Sequence, residues 1–112
     1  MNAVLSEPVL QHVQCPGAGG GHRMAYWQWG QPQAAHLVMC VHGLSRQGRD
    51  FDVLARALLA RAAAQGRALR VVCPDVVGRG ESDWLADPMG YQFPTYVADM
   101  LTLLAGLRQQ AA

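Results

Sequence analysis

The chain has 112 residues, of which 51% are hydrophobic and only 15% charged, with a net charge of +1. An ordinary soluble domain carries about 25% charged residues. This composition excludes a disordered tail, and its near-neutrality excludes a charge-driven nucleic-acid or anionic-membrane partner.

The length fits one small domain over residues 1–112. All nine basic residues are arginine, so lysine-dependent chemistry is excluded as well. The three cysteines, Cys15, Cys40 and Cys73, are scattered and form no C-x-x-C, so zinc and redox motifs have no support. Cys40 and Cys73 sit in apolar runs and are expected to be small buried hydrophobes. The chain opens without a basic segment followed by an apolar one, so no secretory leader is expected. No apolar run approaches the ~20 residues that span a bilayer. A cytoplasmic location is the resulting expectation.

Residues 8–14 read as a strand, with Pro8 at a position where its missing donor does no harm. The stretch Pro16-Gly17-Ala18-Gly19-Gly20-Gly21 is a dense turn signal, and residues 22–29 alternate as a second strand, so an antiparallel hairpin is predicted. The continuous apolar run Leu37-Val38-Met39-Cys40-Val41 predicts a parallel strand covered on both faces. After a loop over residues 42–48, the spacing of Phe51, Leu54, Ala55, Leu58, Leu59 and Ala62 predicts a helix, capped by Asp50 and stopped near Gly66. Residues 69–74 are the next strand. An irregular stretch of about 20 residues follows, a length that in compact domains usually marks function. A last helix over residues 95–108 has Val97, Met100, Leu101 and Leu104 as its apolar stripe and Thr95 as its cap. Strands alternating with helices give an α/β fold with a mostly parallel sheet.

Two motifs carry chemistry. The strand over residues 37–41 ends in His42-Gly43-Leu44-Ser45, and the strand over residues 69–74 ends in Asp75-Val76-Val77-Gly78-Arg79-Gly80-Glu81-Ser82. Asp75 is suited to accept nearby backbone N–H groups and fix its turn, and Gly78 and Gly80 supply φ freedom. In this order and strand context the pair resembles the α/β-hydrolase superfamily, with its H-G-x turn and its D-x-x-G-x-G-x-S loop. The resemblance implies a partial α/β-hydrolase fold, an N-terminal antiparallel hairpin followed by strand, helix, strand and helix in the order 1-2-4-3. It covers essentially the whole chain as the N-terminal portion of one domain.

The resemblance also implies roles. Acyl transfer builds negative charge on a carbonyl oxygen, which preorganised N–H donors stabilise. One donor of this superfamily comes from the loop after the first parallel strand, which here is the backbone N–H of Leu44. Gly43 lets the backbone turn and approach substrate, and His42 buttresses the loop, the alternative for His42 being packing alone. Asp75, Gly78, Gly80 and Ser82 form a structural turn, with direct substrate contact as its alternative. Ser45 and Trp84 are the substrate-contact candidates. Trp84, Met89, Tyr91 and Phe93 either line an apolar pocket or pack on the helix cap.

Three look-alikes fail. Ser45 lies in G-x-S-x-x-G, one residue too long for a nucleophile elbow, and His12, His22, His36 and His42 all precede it, whereas the triad order of this fold places histidine last. Gly43 and Gly48 have phosphate-loop spacing but are followed by Arg49-Asp50 where Lys and Ser or Thr are needed. The dinucleotide reading of residues 78–83 lacks its third glycine.

The chain thus reads as the front of a hydrolase of esters, lactones, epoxides or related bonds, ending before the nucleophile, and inactive alone. Its substrate would be a small molecule, and no cofactor or metal is implied, since this acyl transfer uses side chains and N–H dipoles. The alternative is an inert truncated product, or a module that pairs with another chain through the open sheet edge left at residues 37–41.

Overall fold

The hairpin forms where the turn signal places it. β1 (Val9–Cys15) and β2 (His22–Gly30) pair antiparallel, with Cys15 opposite His22 at the closed end and Val9 opposite Gln28 at the open end. A short 3₁₀ turn, Ala18–Gly20, joins them. The computed structural model describes residues 7–110. Residues 1–6, where a leader would begin, and the last two residues lie outside the described residues.

The remaining elements are β3 (Leu37–Met39), α1 (Asp52–Ala64), β4 (Arg70–Pro74) and α2 (Phe93–Gln110). β4 pairs antiparallel with β2 and parallel with β3, so the sheet runs β1-β2-β4-β3, the order that the resemblance implies. β4 is buried along its whole length, and its side chains alternate between two cores. Val71 and Cys73 join Trp29, Cys40, Ala55 and Leu59 under α1, whereas Val72 joins Cys15, Met24, Tyr26, Leu103 and Leu107 under α2. All three cysteines are buried free thiols, and burial raises the pKa of each.

Several expected boundaries and faces move. β3 is three residues long and half-buried, because it is the edge of the described sheet rather than a strand covered on both sides. A 3₁₀ turn, Gly48–Phe51, leads into α1, so Asp50 lies inside the entry turn, where its carboxylate accepts Gln47 N–H at 3.3 Å and Arg46 Nε–H at 2.8 Å. α2 starts at Phe93, with Pro94 in its first turn and Thr95 already helical.

The buried face of α2 is Asp99, Leu103 and Leu107, with Met100 half-buried beside them, while Val97 and Leu101 of the expected stripe are exposed. The sheet beneath α2 presents His22 and Arg70, which take an acceptor from the helix, so a polar residue turns inward and the apolar count misreads the face.

Arg70 ties the end of α2 to the sheet. It is 1% exposed. Its Nε and Nη2 donate to Gln28 Oε1 at 3.0 and 2.7 Å, its Nη1 donates to the Leu107 carbonyl at 3.2 Å, and Nη2 also reaches Gln110 Oε1. A cation at a helix C-terminus satisfies carbonyls that the helix itself leaves open. No helix among the described residues is long and apolar enough to cross a membrane.

Replacing Arg70 by Met strands these buried acceptors and is expected to cost about 2–4 kcal/mol in urea unfolding. Arg70→Lys should recover only part, because an ammonium cannot fork to Gln28. An unchanged midpoint for Arg70→Met would refute the tie.

Candidate functional site

The loop after β3 is held from three directions. His42 is buried, and its Nε2 accepts the Val76 N–H at 2.9 Å. An accepting Nε2 puts the ring proton on Nδ1, which then donates to the Gly43 carbonyl at 2.6 Å. The same carbonyl accepts Arg46 N–H at 3.1 Å. A trans peptide points its N–H opposite its C=O. With the Gly43 oxygen fixed by two donors, the Leu44 N–H of that peptide is aimed away from them, and it hydrogen-bonds to no described residue. His42 is therefore a brace and not packing alone.

The next peptide is fixed as well. Arg79 Nε–H donates to the Leu44 carbonyl at 2.8 Å, and its Nη1 donates to the Val77 carbonyl at 2.8 Å. The guanidinium lies 5.4 Å from the Tyr96 ring centroid and 6.0 Å from that of Tyr91, within cation–π range. Arg79 is the site residue that sequence reasoning missed. It lies between two glycines, and no pattern signals that its side chain returns to Leu44.

Asp75 joins the two motifs. It is 1% exposed. One carboxylate oxygen accepts Gly48 N–H at 2.7 Å and the other accepts Glu81 N–H at 2.8 Å. Ser82 Oγ donates to the Asp75 carbonyl at 2.6 Å and accepts Ala25 N–H at 2.8 Å, so the long loop is zipped along β2. Gly80 has φ +52°, and a Cβ there would lie 2.2 Å from the Asp75 carboxylate. Gly78 has φ +83° and lies against the Tyr91 ring. Both glycines are thus required by conformation and by space. Gly43 differs. Its φ is not positive, and a Cβ would meet only the Arg46 side chain at 3.8 Å. The sharp turn expected there does not need glycine, and what Gly43 leaves is open space beside the Leu44 N–H.

Two depressions flank Leu44. One, of about 410 Å³, is lined by Ser45, Arg46, Gln47, Asp50, Arg79 and Gly80. The other, of about 600 Å³, is lined by Leu44, Arg79, Tyr91, Phe93, Pro94 and Tyr96, among others. Tyr91 and Phe93 thus face a pocket. Trp84 is 78% exposed and lies outside both depressions, as does Met89. His42 directs both ring nitrogens to backbone groups and neither to Ser45, so the two make no nucleophile–base couple.

No family model matches the chain. It is similar to 3-hydroxybutyrate-oligomer hydrolase of Cupriavidus necator, with 52% identity over 102 residues, covering 91% of this chain and 32% of that protein. Among solved structures, an α/β hydrolase from Novosphingobium aromaticivorans superposes with TM-score 0.66 at 30% identity, covering 91% of this chain and 32% of that one. The described residues have the fold of the N-terminal segment of an α/β hydrolase. A thioesterase domain from the curacin biosynthetic pathway superposes with TM-score 0.70 at 26% identity, covering 88% of this chain and 33% of that one. The chain spans about a third of the length of the relatives it matches. Within that third it brings the H-G-x turn and the D-x-x-G-x-G-x-S loop together through Asp75, His42 and Arg79.

Asp75→Ala leaves two N–H groups of different loops without a partner and should cost about 2–4 kcal/mol of stability. Gly80→Ala should cost about 1–3 kcal/mol through its φ and the contact with Asp75. Because the two residues touch, their effects should not add in the double variant. Additive losses in chemical denaturation would count against the shared bolt.

Proposed function

We propose that the chain is the N-terminal portion of an α/β-hydrolase domain and supplies its oxyanion loop, with the Leu44 N–H as one of the two donors to the developing oxyanion. The observation that supports this reading is the doubly pinned Gly43 carbonyl, which turns the Leu44 N–H away from the two donors. His42 and Arg79 act as positioning residues, and Gly43 leaves the approach open. Ser45 and Arg79, which share the smaller depression, are the substrate-contact residues. The small-molecule substrate class is a short oligoester of a hydroxy acid, supported by the 52% identity to a 3-hydroxybutyrate-oligomer hydrolase. The chemistry is attack on the ester carbonyl by a nucleophile outside this sequence, which contains no G-x-S-x-G. The three buried free thiols favour a reducing compartment, the cytoplasm.

The test is a chimera in which this chain replaces the matching segment of the Cupriavidus necator relative. It should hydrolyse 3-hydroxybutyrate oligomers. Leu44→Pro, which removes the N–H, should lower kcat by about 10²–10³-fold, while Leu44→Ala should leave it nearly unchanged. A folded chimera indifferent to Leu44→Pro would refute the assignment. The isolated chain should show no turnover of a p-nitrophenyl ester above the background of free thiols and imidazoles.

A second reading, pairing with another chain, is favoured by β3 at the open edge of the described sheet and by exposed Val41, Phe93, Val97 and Leu101. The isolated chain should then be marginally stable and self-associate with rising concentration in analytical ultracentrifugation. A sharp, reversible, concentration-independent melting of a monomer would overturn it.

A further inference from the structure

The hairpin register sets Cys15 opposite His22 at its closed end. Opposed residues of an antiparallel pair share a face, with Cβ atoms about 4.5–5.5 Å apart. That face is covered by α2, whose Asp99 brings Oδ2 to 2.7 Å from His22 Nε2. The thiol sulfur, a ring nitrogen and a carboxylate oxygen lie within 4.8 Å of one another, and all three residues are buried. They come from three separate elements and form the one such cluster of His, Cys and acidic residues among the described residues. His22 is the only ionic partner of Asp99 among those residues. Burying a carboxylate is costly unless cations or donors compensate it, and here one imidazole is its ionic partner.

We propose that Cys15, His22 and Asp99 form a binding site for one divalent transition-metal ion of the Zn²⁺ kind. One thiolate, one imidazole and one carboxylate are a donor set that Zn²⁺ takes. The two anionic ligands neutralise the dication, so the bound cluster carries no net charge into the interior. Bonds of roughly 2.0–2.3 Å in tetrahedral geometry separate ligand atoms by roughly 3.3–3.7 Å. The sulfur, within 4.8 Å of the other two atoms, closes inward to reach such a set, and the 2.7 Å His22–Asp99 contact opens by roughly 0.6 Å.

The exchange balances. The Cys15 S–H bond breaks, a sulfur–metal bond forms, and the proton leaves to solvent. His22 coordinates through an unprotonated Nε2, and the proton that Nε2 shares with Asp99 passes to Nδ1 or to solvent. Burial and the neighbouring Asp99 hold the unliganded Cys15 thiol up at about 12, so without metal it is an inert thiol.

Access and a fourth position exist. A cavity of about 530 Å³ opens onto His22 and Asp99, between Pro16 and Gly17 of the hairpin loop and Leu85, Pro94 and Ala98. Water from this cavity completes the coordination. None of its lining residues belongs to the loop after β3, so the site is independent of the oxyanion reading. Bound metal would staple both strands of the hairpin to α2, where now a single hydrogen bond does so.

The chain, stripped with a chelator, should be titrated with Zn²⁺ and with Co²⁺ alone. The expected result is one ion per chain and a thiolate-to-cobalt charge-transfer band. Cys15→Ser keeps the shape and loses the thiolate, and Asp99→Asn keeps a hydrogen-bonding group but loses the charge. Each should weaken Zn²⁺ binding by more than the roughly 10–100-fold that a lost supporting hydrogen bond costs, and Cys15→Ser should lose the band. No bound metal in the wild type, stoichiometric metal without a thiolate band, loss of the bound ion in a His12→Ala/His36→Ala variant, or unchanged affinity in Cys15→Ser would each overturn the proposal and leave a His–Asp strut. If a variant does not fold, the wild-type cobalt spectrum decides alone. The same titration in the chimera reads the site whether or not the chimera is active.

Discussion

The carboxylate of Asp75 is the constraint on which the rest of the site depends. It is buried at the end of a fully buried strand, and it accepts one backbone N–H from each of the two loops that His42 and Arg79 also link. A buried carboxylate without such donors would be costly, and donors without it would be orphaned. The two loops therefore hold each other in place. The tight fit of Gly80 against this carboxylate shows how little space remains once both hydrogen bonds are made.

From that anchor, order passes outward through single hydrogen bonds. Val76 follows Asp75 and offers its N–H to His42, which thereby donates its own proton to the Gly43 carbonyl. Arg79, held between two tyrosine rings, fixes the next carbonyl. Peptide planarity then converts fixed oxygens into an aimed N–H. The side chain of Leu44 contributes nothing to this arrangement and is left exposed.

The opposite face of the sheet follows a different logic. There α2 is held by polar contacts from His22 to Asp99 and from Arg70 to the Leu107 carbonyl and Gln110, beside the apolar packing of Leu103 and Leu107. Polar ties set the helix rotation, and the exposed stripe of Phe93, Val97 and Leu101 is the consequence. Val97 and Leu101 belong to the stripe expected from apolar spacing, whereas Met100 and Leu104 of that stripe are half-buried, so hydrophobicity alone misplaces part of the face.

Much was legible in the linear chain. The hairpin, the strand–helix–strand–helix order and the two loop motifs follow from turn residues, apolar runs and spacing, because these are local properties of the backbone and of burial. The Asp75 turn was legible too, since a short carboxylate beside glycines has few other uses. Tertiary structure alone decided the partners that lie far apart in sequence. Arg79 meets Leu44, Asp99 meets His22 beside Cys15, and Arg70 meets the end of α2. None of these pairs has a spacing that could be read, because each is set by which face of a strand or helix turns inward. A sequence without C-x-x-C gives no sign of a metal centre, yet strand register and one buried helix carboxylate bring three such ligands together.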